Sequence, residues 1–152
     1  MPNLTTCLLL TGRAKEAADF YCEVFGADIT QSVPDGEGGV ILCTFTLAGH
    51  DVVVLNGVGP ESEIQSQRVS LQVHVDGQAE FDHYWYGLLE GGQASTNGWL
   101  VDKFGVWWGI VPIQQMQIFS SAGPDAMQRL SMAAGSMERI DIAELQRAAD
   151  GN

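Results

Sequence analysis

"FDHYWYGLLEGG" (Phe81–Gly92) is a second version of "ADFYCEVFG" (Ala18–Gly26). Phe20 matches Tyr84, Tyr21 matches Trp85 and Val24 matches Leu88, at a constant offset of 64 residues. Each stretch reads as an amphipathic helix. Ala17, Phe20, Tyr21, Val24 and Phe25 recur at three- and four-residue steps, as do Phe81, Tyr84, Trp85, Leu88 and Leu89. Gly26 supplies the first stop. An internal repeat on this scale decides the architecture.

The flanking segments follow the same order twice. "LTTCLLL" (Leu4–Leu10) is a short apolar strand that stops at Gly12. After the first helix, "DITQS" reads as a short strand and "VPDGEGG" as a turn-rich loop. "VILCTFTLAGHDVVVLNG" reads as two strands around a tight turn at Ala48–Gly49–His50. In the second copy "VSLQVHV" is a strand, "QAST" an edge strand, and "GWLVDKFGVWWGIVP" a hairpin turning near Asp102–Gly105. The chain is thus an α+β protein of two βαβββ repeats, residues 1–57 and 69–112, joined by a linker at 58–68. Residues 113–152 form a C-terminal helical appendage. "PDAMQRLSMAAG" begins one helix near Pro124–Asp125, and "ERIDIAELQRAADG" forms a second.

Composition narrows the function classes. Hydrophobic residues make up 45% and charged residues 17% of the 152, which is the balance of a globular domain. Lys+Arg total 7 against Asp+Glu 19, a net charge of -12 that repels phosphate backbones and anionic membranes. Nucleic acid and membrane are therefore not expected partners. The start, "MPNLTTCLLLTG", has no basic segment or cleavage site of a signal peptide. Cys7, Cys22 and Cys43 show no C-x-x-C spacing and fit reduced thiols, so a cytoplasmic location is expected.

The repeat resembles the vicinal oxygen chelate (glyoxalase, bleomycin-resistance and dioxygenase) superfamily. Within it the chain is similar to the PhnB-like branch, often named 3-demethylubiquinone-9 3-methyltransferase. The residues carrying the likeness are "AKEAADFYCEVF", "TLAGHDVVVLNG", "FDHYWYGLLEGG", "GWLVDKFGVWWGIVP" and the tail "MERIDIAEL". The resemblance implies glyoxalase-like half-barrels with helices outside, a homodimer, and a small-molecule ligand within or between the curved sheets. The methyltransferase name finds no support in the residues. The Gly-rich "VPDGEGGVIL" runs into a strand, not a helix, so it is no cradle for S-adenosylmethionine, and no cofactor is expected.

Catalytic members of the superfamily hold a divalent ion with His, Gln or Glu on the first and last strands of each repeat. The equivalent first-strand positions here are Thr5 or Thr6 and Val69 or Ser70. The last-strand positions fall near Val53 and Gly109, within one residue. None supplies a strong ligand, and Glu61 and Glu63 sit in the linker, so no metal is expected. By alternation Trp107 shares a face with Gly109, Trp107 as pocket wall and Gly109 as open floor, while Trp108 points into the core. All three serve equally well as packing residues. Ser70, Gln72 and His74 form a polar strand face, and His74 is either a general base or a solvated histidine. Trp99 is a second stacking candidate, and Asn56 reaches the pocket rim or makes a turn. His50 and His83 are expected at the surface. Three readings follow. One is a metal-free protein that binds a small, partly aromatic compound on Ser70, Gln72, His74, Trp99, Trp107, Gly109 and Asn56. The other is an enzyme of lyase, dioxygenase or transferase type. A dimer with no ligand is a third.

Overall fold

A computed structural model describes residues 5–56 and 69–152. The predicted linker, with Glu61 and Glu63, lies outside the described residues. The chain divides into two compact units, Met1–Gln67 and Arg68–Asn152.

In the first unit β1 (Thr6–Leu10) is followed by α1 (Ala14–Phe25), then β2 (Ile29–Pro34), β3 (Val40–Leu47) and β4 (His50–Asn56). The sheet order is β1-β4-β3-β2, with β1 parallel to β4 and the rest antiparallel. Alternation sends Cys43, Phe45, Leu47, Val52 and Val54 to one face, all buried. The buried stripe of α1, including Ala14, Ala17, Ala18 and Tyr21, supplies the matching apolar surface. Ala48 and Gly49 both have positive φ (49° and 83°), the geometry of a two-residue hairpin turn. β2 runs on through Val33 and Pro34, which the sequence places in the loop. Pro34 is tolerated because β2 is an edge strand.

The second unit repeats the plan. β5 (Leu71–Val75), α2 (Gly77–Leu89), β6 (Gln93–Ala94), β7 (Trp99–Val101) and β8 (Trp107–Pro112) form a sheet of order β5-β8-β7-β6. Val73, Val75, Leu100, Trp108 and Ile110 make its buried face, and Phe81, Trp85 and Leu88 are the buried stripe of α2. The β7–β8 turn is built on Asp102, only 3% exposed. Its Oδ1 accepts from the backbone N–H of Phe104 (2.8 Å) and Val106 (3.1 Å), and its Oδ2 from Trp108 Nε1 (2.8 Å). The inward Trp108 of the sequence reading is therefore core, with its one polar atom satisfied.

Three helices follow: α3 (Ile113–Ser121), α4 (Pro124–Ser136) and α5 (Ile142–Asp150). α4 carries its proline at the start, as expected. α5 is capped by Asp141, whose side chain accepts from Glu144 N (3.0 Å). α3 is absent from the sequence reading. Among the described residues no helix is long and apolar enough to cross a membrane.

Candidate functional site

The centre of the second sheet sets the site. Gln72 on β5 pairs with Gly109 on β8, and Gly109 pairs with Trp99 on β7. These three residues stand abreast on the face opposite α2. One rung along, His74 pairs with Val111. A cavity of about 280 Å³ opens on this face, lined by Gln72, Asn97, Trp99, Gly109, Val111, Gln115, Met116 and Phe119. No lining side chain is charged.

Glycine at 109 lets the Trp99 indole lie close against the strand. A Cβ built there would lie 3.0–3.1 Å from three indole atoms of Trp99. The indole therefore lies against bare backbone, and the room left by Gly109 is taken by Trp99. Trp107 is half-buried on the same face, opposite Val101, and is not among the residues lining the cavity.

The other wall comes from α3. Gln115 is only 9% exposed, and its Nε2 donates to Asn97 Oδ1 (2.9 Å). Asn97 sits at φ 57° in the left-handed region, which asparagine tolerates, and its N–H donates to Met137 O (2.7 Å). The strained turn thus holds its amide toward α3. Three carboxamides, Gln72, Asn97 and Gln115, converge beside one indole, one phenyl ring and one thioether. The cavity can offer a stacking surface, hydrogen-bond donors and acceptors, and no net charge.

The expected site residues distribute as follows. Gln72, Trp99 and Gly109 come together. His74 is exposed beside the lining residue Val111, but does not itself line the cavity. Ser70 lies before β5, so the position facing Gly109 is Gln72, and Val69 is 72% exposed. Asn56 belongs to the first unit. Its Oδ1 accepts from Ala14 N (2.9 Å) and its Nδ2 donates to Val40 O (2.9 Å), so it caps α1 from the end of β4. Asn97, Gln115, Met116 and Phe119 were not foreseen. For the last three, the signal in the sequence is α3 itself, which starts at Ile113 directly after Pro112. His50 shares a hydrogen bond with Thr6 Oγ1 (2.8 Å), and His83 is exposed, packed edge-on against Tyr84.

A divalent ion does not fit the donors present. Among the described residues, no three of His, Cys, Asp and Glu come together as a metal-holding group. On the open face of the second sheet, the first and last strands offer only Gln72 and His74, two residues apart on one strand. Two such donors fall short of the three or four protein ligands that hold such an ion. The Gly-rich loop gives no cradle for S-adenosylmethionine either. It joins two antiparallel strands, and Asp35 Oδ1 takes up the N–H groups of Glu37 (2.7 Å) and Gly39 (3.0 Å).

The family model described as 3-demethylubiquinone-9 3-methyltransferase matches residues 2–111. No curated protein matches. A PhnB protein from Bacillus cereus is 27% identical, with a TM-score of 0.66, over 73% of this chain and 99% of its own. A protein from Pseudomonas aeruginosa is 18% identical, with a TM-score of 0.65, over 74% and 98%. The fosfomycin resistance protein FosX from Listeria monocytogenes shares the fold at 13% identity and a TM-score of 0.56, over 73% and 90%. With the doubled βαβββ sheet and a match spanning most of the chain, this protein belongs to the PhnB-like 3-demethylubiquinone-9 3-methyltransferase family of the vicinal oxygen chelate superfamily.

Proposed function

We propose that the chain is a metal-free binding protein for a small, neutral, planar compound held in the cavity beside Trp99. The observation that carries this reading is the rung Gln72–Gly109–Trp99, closed by the carboxamides of Asn97 and Gln115 with no charged group among the lining residues. An indole beside convergent amides suits an aromatic ring with donor and acceptor atoms on its edge. A volume of about 280 Å³ lies near the lower end of small-molecule sites, roughly 300–1,000 Å³, so one or two fused rings fill it.

A panel of neutral heteroaromatic compounds, titrated against tryptophan fluorescence and checked by calorimetry, tests the reading. Trp99→Ala should weaken the best binder by roughly 1 kcal/mol or more, with circular dichroism unchanged. The competing reading is a metalloenzyme, favoured by a FosX structure of the same fold described as complexed with Mn(II). Elemental analysis of protein purified without chelator separates the two. A metal-to-chain ratio near one, lost in His74→Ala, would replace the binding-protein reading with the enzyme.

A further inference from the structure

Gln115 carries a polar atom that the protein itself does not use. The residue is only 9% exposed and sits in the first turn of α3, past residue 111, where the family match ends. Its Nε2 donates to Asn97 Oδ1 (2.9 Å), and its Oε1 accepts from nothing among the described residues. No side-chain nitrogen or oxygen sealed from solvent lacks a partner among those residues, so this Oε1 is not sealed. The opening beside it is the cavity of about 280 Å³ that Gln115 lines. Half-buried Asn97 lines the same cavity and complements it. Its Oδ1 is taken by Gln115, and its Nδ2 donates to nothing among the described residues. One bond between two carboxamides thus leaves one acceptor and one donor at a single wall. Turning both amides over exchanges the two and still leaves one of each.

Both side chains are held from behind. The turn at Asn97 and Gly98 has positive φ at each residue (57° and 76°), and their N–H groups donate to Met137 O (2.7 Å) and Glu138 O (2.9 Å). Beside Gln115, α3 is fastened by Gln114, whose Nε2 donates to Asp76 Oδ1 (2.7 Å) and whose Oε1 accepts from Gly77 N (3.0 Å). The donor and the acceptor are set in advance, so a matching ligand does not have to order them. Gln72, the third carboxamide, is exposed, and water serves its amide with or without a ligand. Selection falls to Gln115. A ligand that brings no donor covers Oε1 without satisfying it and leaves a buried acceptor unpaired.

We propose that the Gln115–Asn97 pair recognises a lactam edge, the adjacent N–H and C=O of a cyclic amide, on a planar ring stacked against Trp99. The inference rests on the proposed binding of a neutral planar compound and names its class. The ring N–H donates to Gln115 Oε1, and the ring carbonyl accepts from Asn97 Nδ2. A carboxylate brings acceptors only. A lactone puts a ring oxygen where the donor is needed. Neither meets both amides.

Calorimetry on the full chain with quinolin-2-one and coumarin tests the proposal. The two molecules share their fused rings and their carbonyl, but coumarin has a ring oxygen where quinolin-2-one has the N–H. Quinolin-2-one should bind one to one, about tenfold or more tighter than coumarin. Gln115→Met, which keeps the side-chain length, and Gln115→Ala, which keeps the helix, should each shrink that preference to within about twofold. Circular dichroism shows which of the variants is folded, and the two-ligand comparison on the unmodified chain needs neither. Trp99→Ala should weaken both ligands by the same factor, about fivefold, and leave their ratio as it is. Equal affinity for the two ligands would overturn the lactam assignment, and so would a preference that survives in a folded Gln115 variant. If neither ligand binds while another neutral heteroaromatic does, the lactam assignment falls alone. If no neutral heteroaromatic binds, it falls together with the reading it rests on.

Discussion

A methyl group at position 109 would sit 3.0–3.1 Å from the Trp99 indole, closer than carbon atoms pack without something giving way. Gly109→Ala should therefore push the ring off the strand and destabilise the fold by about 1–3 kcal/mol. Urea unfolding reads the stability, and a shift in tryptophan emission reports the ring. An unchanged emission spectrum and midpoint would show that Trp99 does not rest on Gly109. The strand alternation that separates Trp107 and Gly109 from Trp108 is legible in "VWWGIV", because one residue flips each side chain. Which tryptophan lies over the glycine is not legible there. It depends on the β7–β8 register, which no local pattern encodes. Asn56 shows the same limit. A polar residue at a strand end reads as rim or turn, whereas its two hydrogen bonds reach Ala14 and Val40, far away in sequence. Asn56→Ala should cost about 1–2 kcal/mol, because Arg13, the residue at the cap position of α1, makes no side-chain capping bond. It should leave ligand affinity at Trp99 unaltered.

Among the elements, the helix starts carry a symmetry that the residues conceal. In the first unit the opening N–H of α1, at Ala14, is accepted by Asn56 at the end of β4. In the second, the opening N–H of α2, at Gly77, is accepted by Gln114 Oε1 (3.0 Å), just after β8. Each repeat thus caps its helix from the end of its last strand, although the residue types differ. The repeated apolar stripe of the two helices was readable at its offset of 64, since packing demands large side chains at fixed helical steps. α3 is not, because it buries Gln115 and Ile118 while Ile113 and Met116 stay exposed, so its apolar residues do not mark the face it packs. The tail is tied to α2 by Arg139 and Asp82, each about a third exposed (33% and 31%). The guanidinium hydrogen bond holds the Asp82 carboxyl below its ordinary value. A depressed folded-state value means the pair stabilises above the usual carboxylate range, and the contribution is lost as pH falls through the folded value. Asp82→Asn should cost about 1 kcal/mol at neutral pH, a discounted figure for so accessible a pair, and progressively less as the pH falls below the ordinary carboxylate range. Parallel urea titrations at neutral and at acid pH check this. A constant difference would assign the effect to packing.

At the scale of the whole molecule, the first sheet has a second face that α1 does not cover. α1 packs on the side of Phe45 and Val54. The other side presents Cys7, Leu9, Leu42, Val53 and Leu55, with Leu9 42% exposed and Val53 and Leu55 half-buried. Apolar side chains gathered on one uncovered sheet face favour association. We propose that two chains pair, as the doubled repeat implies, and that this face lies in the contact. The net charge of -12 opposes pairing through long-range repulsion, so added salt should strengthen the dimer, where it would weaken one held by ion pairs. Sedimentation equilibrium at micromolar concentration should return twice the chain mass of 16.4 kDa, and Leu9→Glu should return the single mass with the helical circular dichroism preserved. Burying a carboxylate against Val53 and Leu55 without a partner costs several kcal/mol, enough to shift a micromolar dimer to monomer. A wild-type chain that sediments as a monomer in both low and high salt would remove the dimer. A dimer unaffected by Leu9→Glu would move the contact to another surface.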